Sequence, residues 1–116
     1  MKYLCLIYGD ESLRQNTAPE QQESIHQQYM TYTHGIAASG HLLGGEALLD
    51  SARARTVTTR NGAQTTTDGP YAETKEQLGG YYLVDARDLN EAIQLAARIP
   101  GAQFGSIEVR PVAEMV

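Results

Sequence analysis

Asp68-Gly69-Pro70 is the stretch of this sequence best built to aim a functional group. Pro70 stiffens the turn and Gly69 relaxes it, so the Asp68 carboxylate has a fixed direction. Partly buried, such a group serves as general base or acid. The same three residues also suit an ordinary turn in which Asp68 bonds its own backbone. Glu73, Lys75 and Glu76 follow closely. Lys75 is a candidate anchor for an anionic ligand, with Glu73 as its neighbouring carboxylate; a solvated charged loop is the alternative. Seven tyrosines stand against one phenylalanine and no tryptophan. Tyrosine joins an apolar body to a polar tip, which suits a wet cavity or the rim of a core. Tyr8, Tyr71, Tyr81 and Tyr82 are the candidates to line a cavity. Arg110, beside Pro111, either holds an anionic ligand or pairs with Glu108 on a neighbouring strand.

Other chemistries lack the residues they need. His26, His34 and His41 are separated by eight and seven positions, whereas two helical metal ligands need a spacing of three or four. No metal and no cofactor is expected. Cys5 lies mid-strand among apolar neighbours and reads as a buried thiol, not a nucleophile. A single cysteine excludes an internal disulfide framework. Glycine-rich phosphate loops and the G-x-S-x-G elbow are absent from the sequence. The net charge of −5 is a poor match to a phosphate backbone and disfavours nucleic acid as a partner. No apolar run approaches the roughly 20 residues that span a bilayer. The opening M-K-Y-L-C-L-I-Y reads as a strand and not a leader. The expectation is a soluble cytoplasmic domain of 116 residues, too short for a second core.

The elements that must position these residues follow from periodicity and turn signals. Residues 2–8 form an apolar strand ended by Gly9-Asp10, and 9–18 read as a polar loop. Thr17, Pro19 and Glu20 mark the start of a helix that runs to about Ser39 and stops at Gly40. Its stripe is Ile25, Tyr29, Tyr32 and Ile36. Residues 42–49 read as a second strand, with a bulge at Gly44-Gly45. Residues 55–67 form a hairpin about Asn61-Gly62, rich in Thr and poor in core residues. Residues 68–80 look irregular. A strand over 80–86 leads to a helix capped by Asp88, with a stripe of Leu89, Ala92, Ile93, Ala96 and Ala97. Residues 105–112 form the last strand. Without residues 51–78 the order β-α-β-β-α-β is the ferredoxin-like plan.

Two helices cover one face of a four-stranded sheet. The other face would carry Leu4, Leu6, Tyr8, one of Tyr81 and Tyr82, and Val84. Such a face does not stay in water, and no third helix is expected. The simplest cover is a second copy, sheet against sheet, in a two-fold homodimer.

The stretch D-G-P-Y-A-E-T-K-E-Q-L-G-G-Y-Y-L at 68–83 resembles the signature of the DGPF family, a branch of the YCII-related proteins. Tyr71 stands where that signature has Phe. The opening M-K-Y-L-C-L-I-Y, A-R-D-L-N-E-A-I at 86–93 and S-I-E-V-R-P-V at 106–112 are similar to that family too, so the likeness covers nearly the whole chain. It implies one α+β domain over residues 1–116: a ferredoxin-like protomer with an inserted hairpin and loop at 51–78, paired in a dimeric α+β barrel. A better-studied branch uses a His–Asp pair in a cleft, and one member type acts on chlorinated lactones. Here Tyr29 occupies the helix position of that His, and Ile99-Pro100-Gly101 replaces the branch's D-P-Y motif. Asp68 remains as acid/base. The resemblance therefore implies a metal-independent lyase-like or hydrolase-like enzyme for a small acidic or halogenated ligand. The alternative is a non-catalytic ligand-binding dimer or a sigma-factor-associated regulatory one, since members of this branch resemble genomic neighbours of such factors.

Overall fold

β1 (Lys2–Gly9) takes both of its sheet neighbours from residues far along the chain. The computed structural model describes residues 1–114. In it β1 pairs antiparallel with β5 (Gln77–Asp85) on one side and β6 (Ser106–Pro111) on the other. β2 (Leu42–Ala47) adds outside β5, giving the order β2-β5-β1-β6 with every neighbour antiparallel. Three helices complete the α+β fold: α1 (Glu11–Gln15), α2 (Pro19–Ala38) and α3 (Leu89–Ala97). β3 (Arg55–Arg60) and β4 (Ala63–Asp68) form a separate two-stranded sheet. No helix of the described residues is long and apolar enough to cross a membrane.

The register of β1 on β5 decides which residues are core. Tyr3 lies opposite Val84 and Cys5 opposite Tyr82. Paired residues share a face, and these four are buried with Tyr32 and Ile36 of α2 and Leu95 of α3. Leu4 opposite Leu83 and Leu6 opposite Tyr81 therefore lie on the second face. This corrects the expected assignment of Val84, which belongs to the helix-covered face, and it separates the two tyrosines. Tyr82 is core: its ring meets Tyr32 edge-on at 5.3 Å, and its hydroxyl is 2.7 Å from Thr33 Oγ1. Tyr32 Oη donates to the Leu95 carbonyl at 2.7 Å, tying α2 to α3.

Local details depart from the sequence reading in four places. Asp10 caps a short helix where a loop was expected; its carboxylate accepts from the Ser12 N–H at 2.9 Å. Thr17 is then used up at the end of that turn, donating to the Leu13 carbonyl, so Ala18 and not Thr17 precedes α2, without a side-chain cap. α3 starts as read, with Asp88 Oδ1 accepting from the Glu91 N–H. Its buried face, however, is Ala92, Leu95 and Ala96, while Leu89 and Ile93 are exposed. A nine-residue helix turns too few times for composition alone to choose between adjacent stripes. β5 begins at Gln77, three residues before the expected Gly80.

The hairpin is as read. Asn61 at φ 52° and Gly62 at φ 78° make the left-handed pair that matches strand twist. All six residues of β4 are exposed.

Ile36 is 1 % exposed, whereas Gln21 is exposed on the outer side of its helix. Ile36→Ala is expected to lower stability by about 2–5 kcal/mol through an unfilled cavity. Gln21→Ala, measured in the same urea titration, should stay within about 0.5 kcal/mol. Burial also pushes the Cys5 thiol up to about 11 from an ordinary value near 9. A proton held by the folded state and lost by the unfolded one stabilises below the unfolded pKa. Stability is thus expected to fall as pH rises from about 9 towards 11. Ellman's reagent should label Cys5 only at the rate of unfolding.

Candidate functional site

A cleft of about 720 Å³ opens where β1 ends, between the start of β6, α1 and the loop before β5. Leu13 and Phe104 are its apolar walls; Tyr8, Asp10, Lys75 and Glu108 are among the polar side chains lining it. α1 is held there from two sides. The Glu11 carboxylate accepts from the Ser51 N–H at 2.8 Å and from its hydroxyl at 3.0 Å. The Glu11 N–H in turn donates to Gln77 Oε1 at 3.1 Å. On the opposite rim, Ser106 Oγ donates to Glu76 Oε1 at 3.0 Å, fixing the loop that carries Lys75 against β6.

The other two carboxylates that line the cleft, Asp10 and Glu108, also have partners. Asp10 lies below the usual carboxylate range, first because the Ser12 hydroxyl donates to it (2.6 Å), then through the Ser12 N–H and the charge of Lys75. Arg110 Nη2 lies 2.6 Å from Glu108 Oε2. That contact is a charge pair without hydrogen-bond alignment, so this solvent-shielded oxygen lacks a directed donor. The cleft thus offers an ammonium donor, a phenol of either sense and an ionised acceptor, beside apolar walls.

Of the residues singled out from sequence, Tyr8, Lys75 and Glu76 meet in this cleft. Tyr81 is half-buried on the same open sheet face, farther along it. Tyr82 is on the opposite face, in the core, so it does not join them. Arg110 pairs with Glu108 on its own strand, β6, and not across strands. Glu73 and Tyr71 are exposed on the loop, Tyr71 at 93 %. Asp68 closes the hairpin: its carboxylate is 3.0 Å from Arg55 Nε and its side chain is 88 % exposed. The Gly69 N–H donates to the Ala54 carbonyl, and Gly69 has φ 103°. The D-G-P turn is therefore the base of the hairpin, outside the cleft.

Sequence reasoning missed Asp10, Leu13, Phe104, Ser106 and Glu108. The Asp10-Glu11-Ser12 run held a usable signal, since an Asp followed two residues on by Ser is a helix cap. Phe104 and Ser106 carried none.

Tyr29 on α2 finds no acidic partner in Ile99-Pro100-Gly101, where Ile99 is part of the core. Tyr29 and Gly101 lie against each other, and a methyl group on Gly101 would meet the Tyr29 hydroxyl at 2.5 Å and Ile7 Cγ2 at 3.1 Å. Burial raises the Tyr29 phenol above its ordinary value. A neutral phenol against a glycine backbone has no carboxylate beside it to make it a base. Among the described residues no group of three or more His, Cys, Asp and Glu side chains is arranged to hold a metal ion.

The sequence pattern of the YCII-related domain matches residues 1–116. The chain is also 36 % identical over 115 residues to the uncharacterized protein R00369 of Rhizobium meliloti (strain 1021), covering 97 % of this chain and 93 % of that one.

The lowered Asp10 pKa supplies stability that is present above its unfolded value of about 3.9 and lost as pH falls through the folded one. In a carboxyl-carbon NMR titration, Ser12→Ala should raise the Asp10 pKa more than Lys75→Met does. Equal shifts would mean that charge, not the hydroxyl, holds it down.

Proposed function

The chain belongs to the YCII-related domain family, and we propose that it binds a small polar molecule in the cleft beside Lys75. The observation that carries this is the cleft itself: about 720 Å³, with Tyr8 and Lys75 facing Asp10 and with Leu13 and Phe104 as apolar walls. Cavities of about 300–1,000 Å³ with few polar groups on apolar walls are the usual form of a small-molecule site. Lys75 and Tyr8 suit a carboxylate or carbonyl oxygen. Asp10 and Glu108 suit a hydroxyl or amine on the same molecule. A ligand with several negative charges fits poorly, because carboxylates outnumber the one ammonium.

The protomer reading that goes with this is ferredoxin-like, supported by the strand order β2-β5-β1-β6 around two long helices. The D-G-P-Y stretch supports placement in the DGPF branch. A sheet-to-sheet homodimer is supported by the open face. Leu4, Leu6, Tyr81 and Leu83 occupy its central strands, while Glu46, Glu108 and Arg110 lie opposite them on the edge strands. An apolar centre with a charged rim is how protein interfaces are built. Asp68 enters as acid or base only in such a dimer, because in one protomer it is ion-paired to Arg55 and open to water. Turnover is therefore a property of the assembled dimer in this reading, and binding a property of the cleft.

A thermal-shift screen of hydroxy acids, amino acids, lactones and halogenated acids tests the site. A ligand at about 100 times its Kd stabilises by roughly 2.7 kcal/mol, a shift of several degrees for a domain of this size. The shift is expected to vanish in Lys75→Met, shrink in Tyr8→Phe and persist in Asp68→Asn. A hit indifferent to Lys75 and Tyr8 would overturn the cleft as the site.

A further inference from the structure

The chain is too open for its length. Its radius of gyration is 16.1 Å, against about 13.4 Å for a compact chain of this size. Its accessible surface is 8315 Å², about 2,000 Å² more than a folded monomer of this mass exposes. Its extents are 47 × 47 × 18 Å, a plate one sheet and one helical layer thick.

The β3–β4 hairpin and its root are among the most open parts of the chain. β4 is exposed along its whole length. Val57 is 59 % exposed, and Leu48, Leu49 and Tyr71 at the root are 40 %, 70 % and 93 % exposed. An isolated two-stranded ribbon is marginal in water and presents two unpaired edges.

We infer that the β3–β4 hairpin is an arm that packs on a second copy of this chain, with Val57, Leu48, Leu49 and Tyr71 as its apolar contacts. The inference deepens the dimer proposed above and rests on a second copy being present. Area selects that occupant. Obligate dimers bury about 2,000–5,000 Å² in total, or about 1,000–2,500 Å² from each copy, and the surplus on each chain is of that size. Charge agrees. Residues 55–68 hold Arg55, Arg60 and Asp68, a net +1, so the rest of the chain carries −6 of the total −5. A basic arm meeting the acidic body of another copy is complementary. An arm shared in this way brings Asp68 and Tyr71, at its root, to the contact between copies.

Sedimentation velocity over a range of concentrations tests this with four proteins. They are the natural chain, a hairpin shortened by removing 57–60 and 63–66 so that Asn61-Gly62 closes on Thr56 and Thr67, Val57→Asp, and Leu6→Glu. The natural chain is expected to be a dimer. The shortened chain and Val57→Asp should each dissociate at concentrations at least tenfold higher, and hairpin amides should exchange hydrogen faster in Val57→Asp. Should the shortened chain fail to fold, Val57→Asp decides. A dimer whose Kd is unmoved by either arm variant overturns the arm. If Leu6→Glu nevertheless dissociates it, the sheet-to-sheet reading stands. If Leu6→Glu is neutral and Val57→Asp dissociates the dimer, the arm stands and the sheet reading falls. A monomeric natural chain overturns both.

Discussion

A sheet has two faces, and this chain brings a layer of long helices to only one of them. Everything else in the structure answers to that imbalance. The register of β1 on β5 sends Tyr3, Cys5, Tyr82 and Val84 under α2 and α3, where the largest buried contacts form. The Tyr32–Tyr82 ring contact and the Tyr32 bond to the Leu95 carbonyl lock both helices to that face. Leu4, Leu6, Tyr81 and Leu83 are left on the other. A shift of one residue in that register would exchange the two sets, so register, more than composition, decides which surface the protein offers outward.

The cleft is a consequence of how the strands end. β1 runs out into Gly9 and the short α1, and the loop from the hairpin returns across the end of the sheet before β5. Glu11 clasping Ser51, and Ser106 clasping Glu76, close the two rims. Both clasps use carboxylates, so much of the acidic character near the cleft is structural and not free for a ligand. Lys75 is the exception in sign, and with Tyr8 it gives the cleft its polarity. Tyr29 against Gly101 is a close neutral contact beneath the helices.

The D-G-P turn links these two themes. It ends the hairpin, orients Asp68 towards Arg55, and begins the loop that delivers Lys75 to the cleft. A residue that looks catalytic from its setting in sequence is here the exposed, ion-paired base of the hairpin.

Much of the fold was legible because local signals are short-ranged. Asn61-Gly62 declares a hairpin, Asp88 declares a helix start, and the spacing of Ile25, Tyr29, Tyr32 and Ile36 declares a buried helical stripe over about three turns. Strand order then follows from the alternation of elements. The stripe of α3 was misread because nine residues do not average out one wrong phase. α1 was missed because a helix of five residues carries no periodicity, only its cap. The site was the least legible part. Tyr8 and Lys75 were candidates by type, but Asp10 and the Phe104–Glu108 stretch come from opposite ends of the chain, and nothing in their local sequence marks that they meet. Element identity is written in neighbouring residues. The facing of Tyr81 and Tyr82, the exposure of Asp68 and the walls of the cleft depend on long-range pairing, which only the closed sheet decides.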